Sequence, residues 1–401
     1  MHVEISQRTD QLGTENAFVV LAEVNALIKQ GKNVVSFCIG QPDFDAPEAA
    51  KHAAIEAINS RKSGYTGSAG IPELRSAAAE YFSKSREMNV SSDSIVVAGG
   101  GKPFIAMAIL STTDFGKGHE IIYPVPGYPI YESQTKTAGA VPVPLYLRES
   151  KNYNFDIEEL KSKINSNTRL LILNSPQNPT GGVLSKKELE EIAKVVLQYP
   201  NLWVYSDEVY SELCYDAQFE SIASVPGMQE RTIMVDCVSK TFAMTGWRIG
   251  YCSNPLLADA LTRWVTNLES CANHPAQWAA VGALKNAWND VKGMKKEFHE
   301  RRDLVVKLLN EIPGFKCLSP GGAFYVWPNV TKACEIVRAK DSEEFRKLLL
   351  NEAGVAVLAD KHFGPPVDGE GQHIRLSYAI SKQNIIEGVK RIKEFVEKSK
   401  Q

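Results

Sequence analysis

The segment SKTFAMTGWRIGY (239–251) places Lys240 between a small hydroxyl, Ser239, and a guanidinium, Arg248. The preceding run RTIMVDCV (231–238) reads as a strand, so Ser239 and Lys240 emerge at a strand end, where ligands of open α/β sheets bind. A lysine amine there can form a Schiff base with an aldehyde cofactor. The hydroxyl and guanidinium can neutralise and hydrogen-bond a phosphate on that cofactor. Neighbouring positive charge lowers the lysine pKa, which helps it act as a base. Taken singly, the spacing fits a solvated surface lysine better.

Four further segments carry candidate chemistry, each with a plainer reading beside it. In YSDEVY (205–210), Asp207 follows an apolar strand, where a carboxylate needs a partner. It can keep a ring nitrogen protonated, and Tyr210 can donate to a ring oxygen; a structural ion pair and a packed tyrosine fit equally well. In NSPQNPTGG (174–182), the Asn178 amide can donate to the same oxygen, although the motif alone is a turn. GGGKP (99–103) enters a helix whose N-terminal amides can hold an anion, but it lacks the complete phosphate-loop pattern. In HIRLSYA (373–379), Arg375 interrupts an apolar strand. It is either half of an internal ion pair or a two-bonded clamp for a substrate carboxylate.

The elements that must position these residues alternate. Strands are predicted at 94–99, 119–123, 168–174, 202–206 and 231–238, with helical patterns between several of them. Helices are predicted at 46–60 and about 71–87, and IAMAIL (105–110) reads as a buried helix. Asp45 with Glu48, and Ser185 with Glu188, stand in capping-box register. Apolar strands alternating with helices imply an α/β fold, a mostly parallel central sheet sandwiched by helices. After about 255 come long helices, then short strands near 315–318, 323–327, 355–358 and 373–378 and a closing helix at 381–399. These predict a smaller α+β domain. The expected division is a large domain, 46–285, and a small domain formed by 1–45 and 286–401.

With 401 residues, 44% hydrophobic and 23% charged, the chain has the balance of a globular protein with a large core. A net charge of −2 gives no reason to expect nucleic acid or an anionic membrane as partner. Seven scattered cysteines with no CxxC argue against a disulfide framework and a zinc site, and no metal is expected. The N-terminus has neither a signal-peptide nor a transit-peptide pattern, and no apolar stretch approaches the roughly 18 residues that span a bilayer. A cytoplasmic location is the expectation.

Together, GQPDF (40–44), YTGSAGIPELR (65–75), PGYPIY (126–131), NPTGGV (178–183), SDEVY (206–210), SKTFAMTGWRIGY (239–251), PGGAFYVWPN (320–329) and GEGQHIRLSYA (369–379) resemble the class I/II, fold-type I aminotransferases that use pyridoxal phosphate. The order and approximate spacing of these motifs match that family over nearly the whole chain. The resemblance implies that Lys240 forms the Schiff base with pyridoxal phosphate, Asp207 pairs with the ring nitrogen, and Asn178 and Tyr210 bond the ring oxygen. It places Gly101, Lys102, Ser239 and Arg248 around the phosphate and stacks Tyr128 on the ring. Tyr65 would reach the phosphate of a neighbouring subunit, which implies a homodimer. Arg375 and the backbone at Gly40, with Asn178, would hold the substrate α-carboxylate. One departure stands beside Arg375: after VAVL (355–358) the family often has Pro-Gly, and this chain has Ala359-Asp360.

The implied reaction moves an amino group from an L-amino acid to a 2-oxo acid in two half-reactions, with ping-pong kinetics. Elimination, cyclisation or oxidation on the same scaffold would use the same cofactor residues. A regulatory module would need an added DNA-binding segment, for which no residues are left over. A nucleotide-binding reading of GGGKP leaves Lys240 and Arg248 unexplained. For the substrate side chain, Lys102 has two readings. It meets a carboxylate, favouring glutamate or aspartate as donor, or it serves only the cofactor or the surface.

Overall fold

The computed structural model describes residues 4–399. The central sheet has seven strands: β1 (Ile95–Ala98), β2 (Glu120–Val125), β3 (Val141–Tyr146), β4 (Thr168–Asn174), β5 (Trp203–Asp207), β6 (Thr232–Cys237) and β7 (Gly250–Ser253). Their order across the sheet is β1-β7-β6-β5-β4-β2-β3. The run from β6 to β3 is parallel, and β7 lies antiparallel to both β6 and β1. Helices pack against this mostly parallel sheet, as the alternating pattern implies. β1, β4, β5 and β6 are almost wholly buried, which explains their continuous apolar runs.

Two strands escape the sequence pattern for identifiable reasons. β3 reads VPVPLY, and its two prolines argue against a strand; it forms at the sheet edge, where a missing backbone donor is tolerated. β7 is a four-residue strand opening on Gly250. A side chain there would collide with the Gly100 and Gly101 backbone, so glycine is what lets β7 pass the GGG turn.

Register brings the site together. Asn174 at the end of β4 pairs with Asp207 at the end of β5, and Asp207 pairs with Val235 in β6. β6 runs on into the helical turn Val238–Thr241, which carries Ser239 and Lys240. Three parallel strands therefore deliver Asn174, Asp207 and Lys240 to the same carboxyl edge.

Residues beyond 286, together with Val35–Ser36, build smaller sheets. Tyr325–Val326 and Leu358–Ala359 flank Ile374–Ser377 antiparallel, and Val35–Ser36 pairs in parallel with Val355–Ala356. Phe37, Phe298, Phe324, Leu349, Ile374 and Ile392 share one core there. Arg375 enters the site from the central strand of the three. Asp360, where the motif departs from Pro-Gly, accepts hydrogen bonds from the Ser342 hydroxyl and the Lys361 and His373 amides. That carboxylate closes the loop with its own hydrogen bonds.

Two sequence expectations fail. The strand at 315–318 reduces to a single bridge between Lys316 and Asn329, because the Asn310 side chain bonds both the N–H and the C=O of Cys317. The capping box at Asp45 and Glu48 does not form. Pro47 occupies the cap in an extended conformation, and Glu48 pairs instead with Lys51 at 2.8 Å. The box at Ser185 and Glu188 is present. The helix predicted at 105–110 lies within Pro103–Thr112, where Ile105, Met107, Ala108 and Ile109 are buried and Leu110 is exposed.

Candidate active site

A cavity of about 470 Å³ opens at the carboxyl edge of β4, β5 and β6. Every residue singled out above lines it except Tyr65, which stands 90% exposed on a surface loop.

Lys240 donates from Nζ to the Gly40 carbonyl at 2.6 Å, and no carboxylate pairs with it among the described residues. Burial, with smaller contributions from Arg375 and Arg248, pushes its pKa below the usual lysine value, against the pull of Cys237 and Glu15. A lowered pKa raises the neutral, nucleophilic fraction. Position 40 has no room for a side chain, because the Tyr325 hydroxyl lies where its Cβ would be.

Asp207 is buried, and burial raises its carboxyl pKa to about 6 against the opposing Tyr131 hydrogen bond. The Tyr131 hydroxyl donates to Oδ2 at 2.6 Å, whereas Oδ1 has no hydrogen-bond partner. An orphaned, buried carboxylate oxygen on a residue that lines the cavity is costly unless something with a proton meets it. Asn174 fixes the backbone nearby, donating from Nδ2 to the Asp207 carbonyl and accepting from the Asn178 N–H.

Arg375 is 4% exposed and lies 4.4 Å over the Tyr325 ring. It donates to the Asn178 side-chain oxygen at 3.0 Å and to the Cys38 carbonyl at 2.5 Å, and its Nε has no partner. Among the described residues no carboxylate pairs with it. The internal ion pair is therefore absent, and a buried cation is left with neutral acceptors only.

The glycine turn and Arg248 form a cradle. Gly100 has φ 107, and a side chain there would collide with the Arg248 guanidinium. Arg248 donates to the Thr245 and Gly99 carbonyls. Gly101 precedes the helix Pro103–Thr112, whose first N–H groups, those of Phe104 and Ile105, bond the Gly101 and Lys102 carbonyls, and Ser239 lines the same cavity. Tyr210 shares a 2.9 Å hydrogen bond with Tyr325, hydroxyl to hydroxyl. Lys102 pairs with Glu15 at 2.8 Å, and the Tyr128 hydroxyl donates to the same Glu15 oxygen at 3.0 Å.

Sequence reading missed Glu15, Tyr131, Asn174 and Tyr325. Tyr131 carried a signal, since it stands three residues after Tyr128 at the start of the helix Ile130–Thr137, and the two rings meet edge-on at 5.7 Å. Asn174 is the last residue of β4, whose neighbour β5 ends in Asp207. Glu15 sits in a polar N-terminal stretch with nothing to mark it.

The chain matches the family model described as aminotransferase class I and II over residues 32–392. It is 35% identical over 395 residues to an aspartate aminotransferase of Bacillus sp. (strain YM-2), covering 98% of this chain and 99% of that protein. It is 36% identical over 399 residues to an asparagine–oxo-acid transaminase of Streptococcus mutans, covering 98% of this chain and 100% of that protein. The crystal structure of the aspartate aminotransferase from Rhizobium meliloti superposes with a TM-score of 0.92 at 32% identity, covering 99% of each chain.

Proposed function

Because this chain belongs to the class I and II aminotransferases and moves an amino group from an amino acid to a 2-oxo acid, we propose that pyridoxal phosphate joined to Lys240 carries the group. The observation that carries the proposal is one cavity lined by three ionisable groups that have no charged partner among the described residues. They are the Lys240 amine with its lowered pKa, the unpartnered Asp207 Oδ1 and the carboxylate-free Arg375.

Each fits a different part of the chemistry. Pyridoxal phosphate supplies an aldehyde for the amine and a ring that takes up the electron pair left when a Cα proton departs. Asp207 Oδ1 would hold the proton of the ring nitrogen. Asn178 and Tyr210 would donate to the ring oxygen, and Tyr128 would supply the contact with the ring face. Gly101, Ser239 and Arg248 would hold the phosphate within the glycine cradle, while the ammonium of the neighbouring Lys102 is engaged by Glu15 at 2.8 Å. Arg375 and Asn178 would clamp the substrate α-carboxylate beside Gly40. Once the substrate amine has taken its place on the aldehyde, the freed Lys240 amine, its pKa lowered by burial, would take the Cα proton and return it within the same half-reaction.

Tyr65 is assigned to the phosphate site of a second subunit, which makes the working form a homodimer; its exposure is compatible with that role. The domain division at about 285 is supported by the helix Trp288–Asn310. Its Val291 packs with Phe82 and Tyr251, and its Met294 and Phe298 pack in the other core. A cytoplasmic location is supported by seven free cysteines, and no described helix is long and apolar enough to cross a membrane.

Kinship leaves the donor side chain open, since one relative is named for aspartate and another for asparagine. Glutamate or aspartate as donor would have to reach Lys102 in competition with Glu15. A panel of amino donors and 2-oxo acceptors tests the reading. Parallel double-reciprocal lines with no ammonia released support it, whereas ammonia from a lone amino acid would favour elimination or oxidation.

A further inference from the structure

The cations lining the cavity divide by role. Arg375 and Arg248 are assigned to the α-carboxylate and the phosphate, and Lys240 to the aldehyde. Lys102 is left. A free ammonium at the cavity wall would suit a second carboxylate on the substrate. Here that place is taken, since Glu15 pairs with Lys102 at 2.8 Å and accepts from the Tyr128 hydroxyl at 3.0 Å.

Glu15 is held by the element that follows it. It immediately precedes the helix Asn16–Lys29, which buries Ala17, Val20 and Val24 in a core shared with Trp327 and Leu358. The Glu15 side chain is 26% exposed, and its field reaches Lys240 and Tyr325. Phe18 and Ile39 also line the cavity.

A substrate carboxylate arriving at Lys102 would have to break that ion pair and the tyrosine bond, then sit beside the displaced Glu15 carboxylate. Like charges so placed repel in a partly desolvated site. An uncharged side chain leaves the pair intact and meets apolar wall. Resting on the aminotransferase reading above, we propose that Glu15 is a specificity residue. It keeps Lys102 neutralised and turns the site toward amino donors with uncharged side chains, against side-chain carboxylates.

The test uses protein loaded with pyridoxal phosphate. For wild type, Glu15→Gln and the double variant Glu15→Gln/Lys102→Met, kcat/KM is measured with aspartate and glutamate and with alanine, leucine and phenylalanine. The expected result is that Glu15→Gln raises the acidic-to-neutral ratio by about tenfold or more, the scale of one charged hydrogen bond. The double variant should lose that gain. Calorimetric binding of succinate and butyrate, matched in length and differing by one carboxylate, gives a readout without turnover. Succinate should gain on butyrate by a similar factor in Glu15→Gln alone. An unchanged or lowered ratio in the single variant, or a gain that survives in the double variant, overturns the proposal. Failure of wild type to transfer from any donor would overturn the aminotransferase reading instead, and with it the proposal.

Discussion

Asp207 sits under a burial penalty that should be visible as stability. Its carboxyl pKa rises from the ordinary 3.8 to about 6 in the folded chain. Since the folded value lies above the unfolded one, the fold favours the neutral acid. The penalty is absent below the unfolded pKa, grows as pH rises, and is complete above the folded pKa. At about 1.4 kcal/mol per pKa unit, the rise to about 6 amounts to about 3 kcal/mol at neutral pH and above. About half of it develops between about pH 5 and about pH 8. Asp207→Asn removes the ionisation and keeps an acceptor for the Tyr131 hydroxyl. In protein stripped of pyridoxal phosphate, the variant should therefore be more stable than wild type at the higher pH, with the margin shrinking as pH falls. Urea titrations at several pH values and one protein concentration measure the margin. A difference that does not change with pH would refute the argument, because only an ionisation produces the slope. With pyridoxal phosphate added, the same variant should turn over far more slowly than wild type, since the amide cannot balance a protonated ring nitrogen.

Three further outcomes follow from the geometry. Arg375→Lys keeps the charge but loses the planar fork, so kcat/KM should fall by about tenfold to a hundredfold for acidic and neutral donors alike; a donor-selective loss would move Arg375 to the side-chain site. Arg86 bridges Glu208 and Asp236 at 3.0 Å each with all three side chains buried, and burial already pushes Asp236 up to about 7. Arg86→Met should therefore cost about 3–5 kcal/mol in a denaturant titration, by leaving buried carboxylates uncompensated; a loss under about 1 kcal/mol would contradict this. Mixing a Tyr65→Phe chain with an Arg248→Ala chain should restore activity through hybrids that place both lesions in one site, and a fully active monomer would end the dimer proposal.

The parts of this molecule that were legible in sequence share a physical cause. β4, β5 and β6 are short apolar runs because both faces of a parallel sheet are covered, so the runs themselves marked the strands, while Asp207 and Lys240 took the joint motif match and Asn174 was missed. β3 was hidden because prolines are tolerated at an edge. The residues at 315–318 misled because an asparagine side chain, rather than a partner strand, takes up the backbone groups of Cys317. In the site, residues inside the joint motifs could be placed, and side chains that act through a distant partner could not. Asp207 was legible, but its partner Tyr131 reaches it from 76 positions away. Glu15 was the least legible, since its role comes from meeting Lys102 across 87 positions.

The central claim is that Lys240 is the residue to which the cofactor is joined. Borohydride reduction of the protein loaded with pyridoxal phosphate, followed by proteolysis and mass mapping, tests it most directly. The added phosphopyridoxyl mass should appear on the peptide containing Lys240, and none of it in a Lys240→Ala variant, which should also lose nearly all turnover. Stoichiometric label on another lysine, or wild-type turnover in Lys240→Ala, would contradict it.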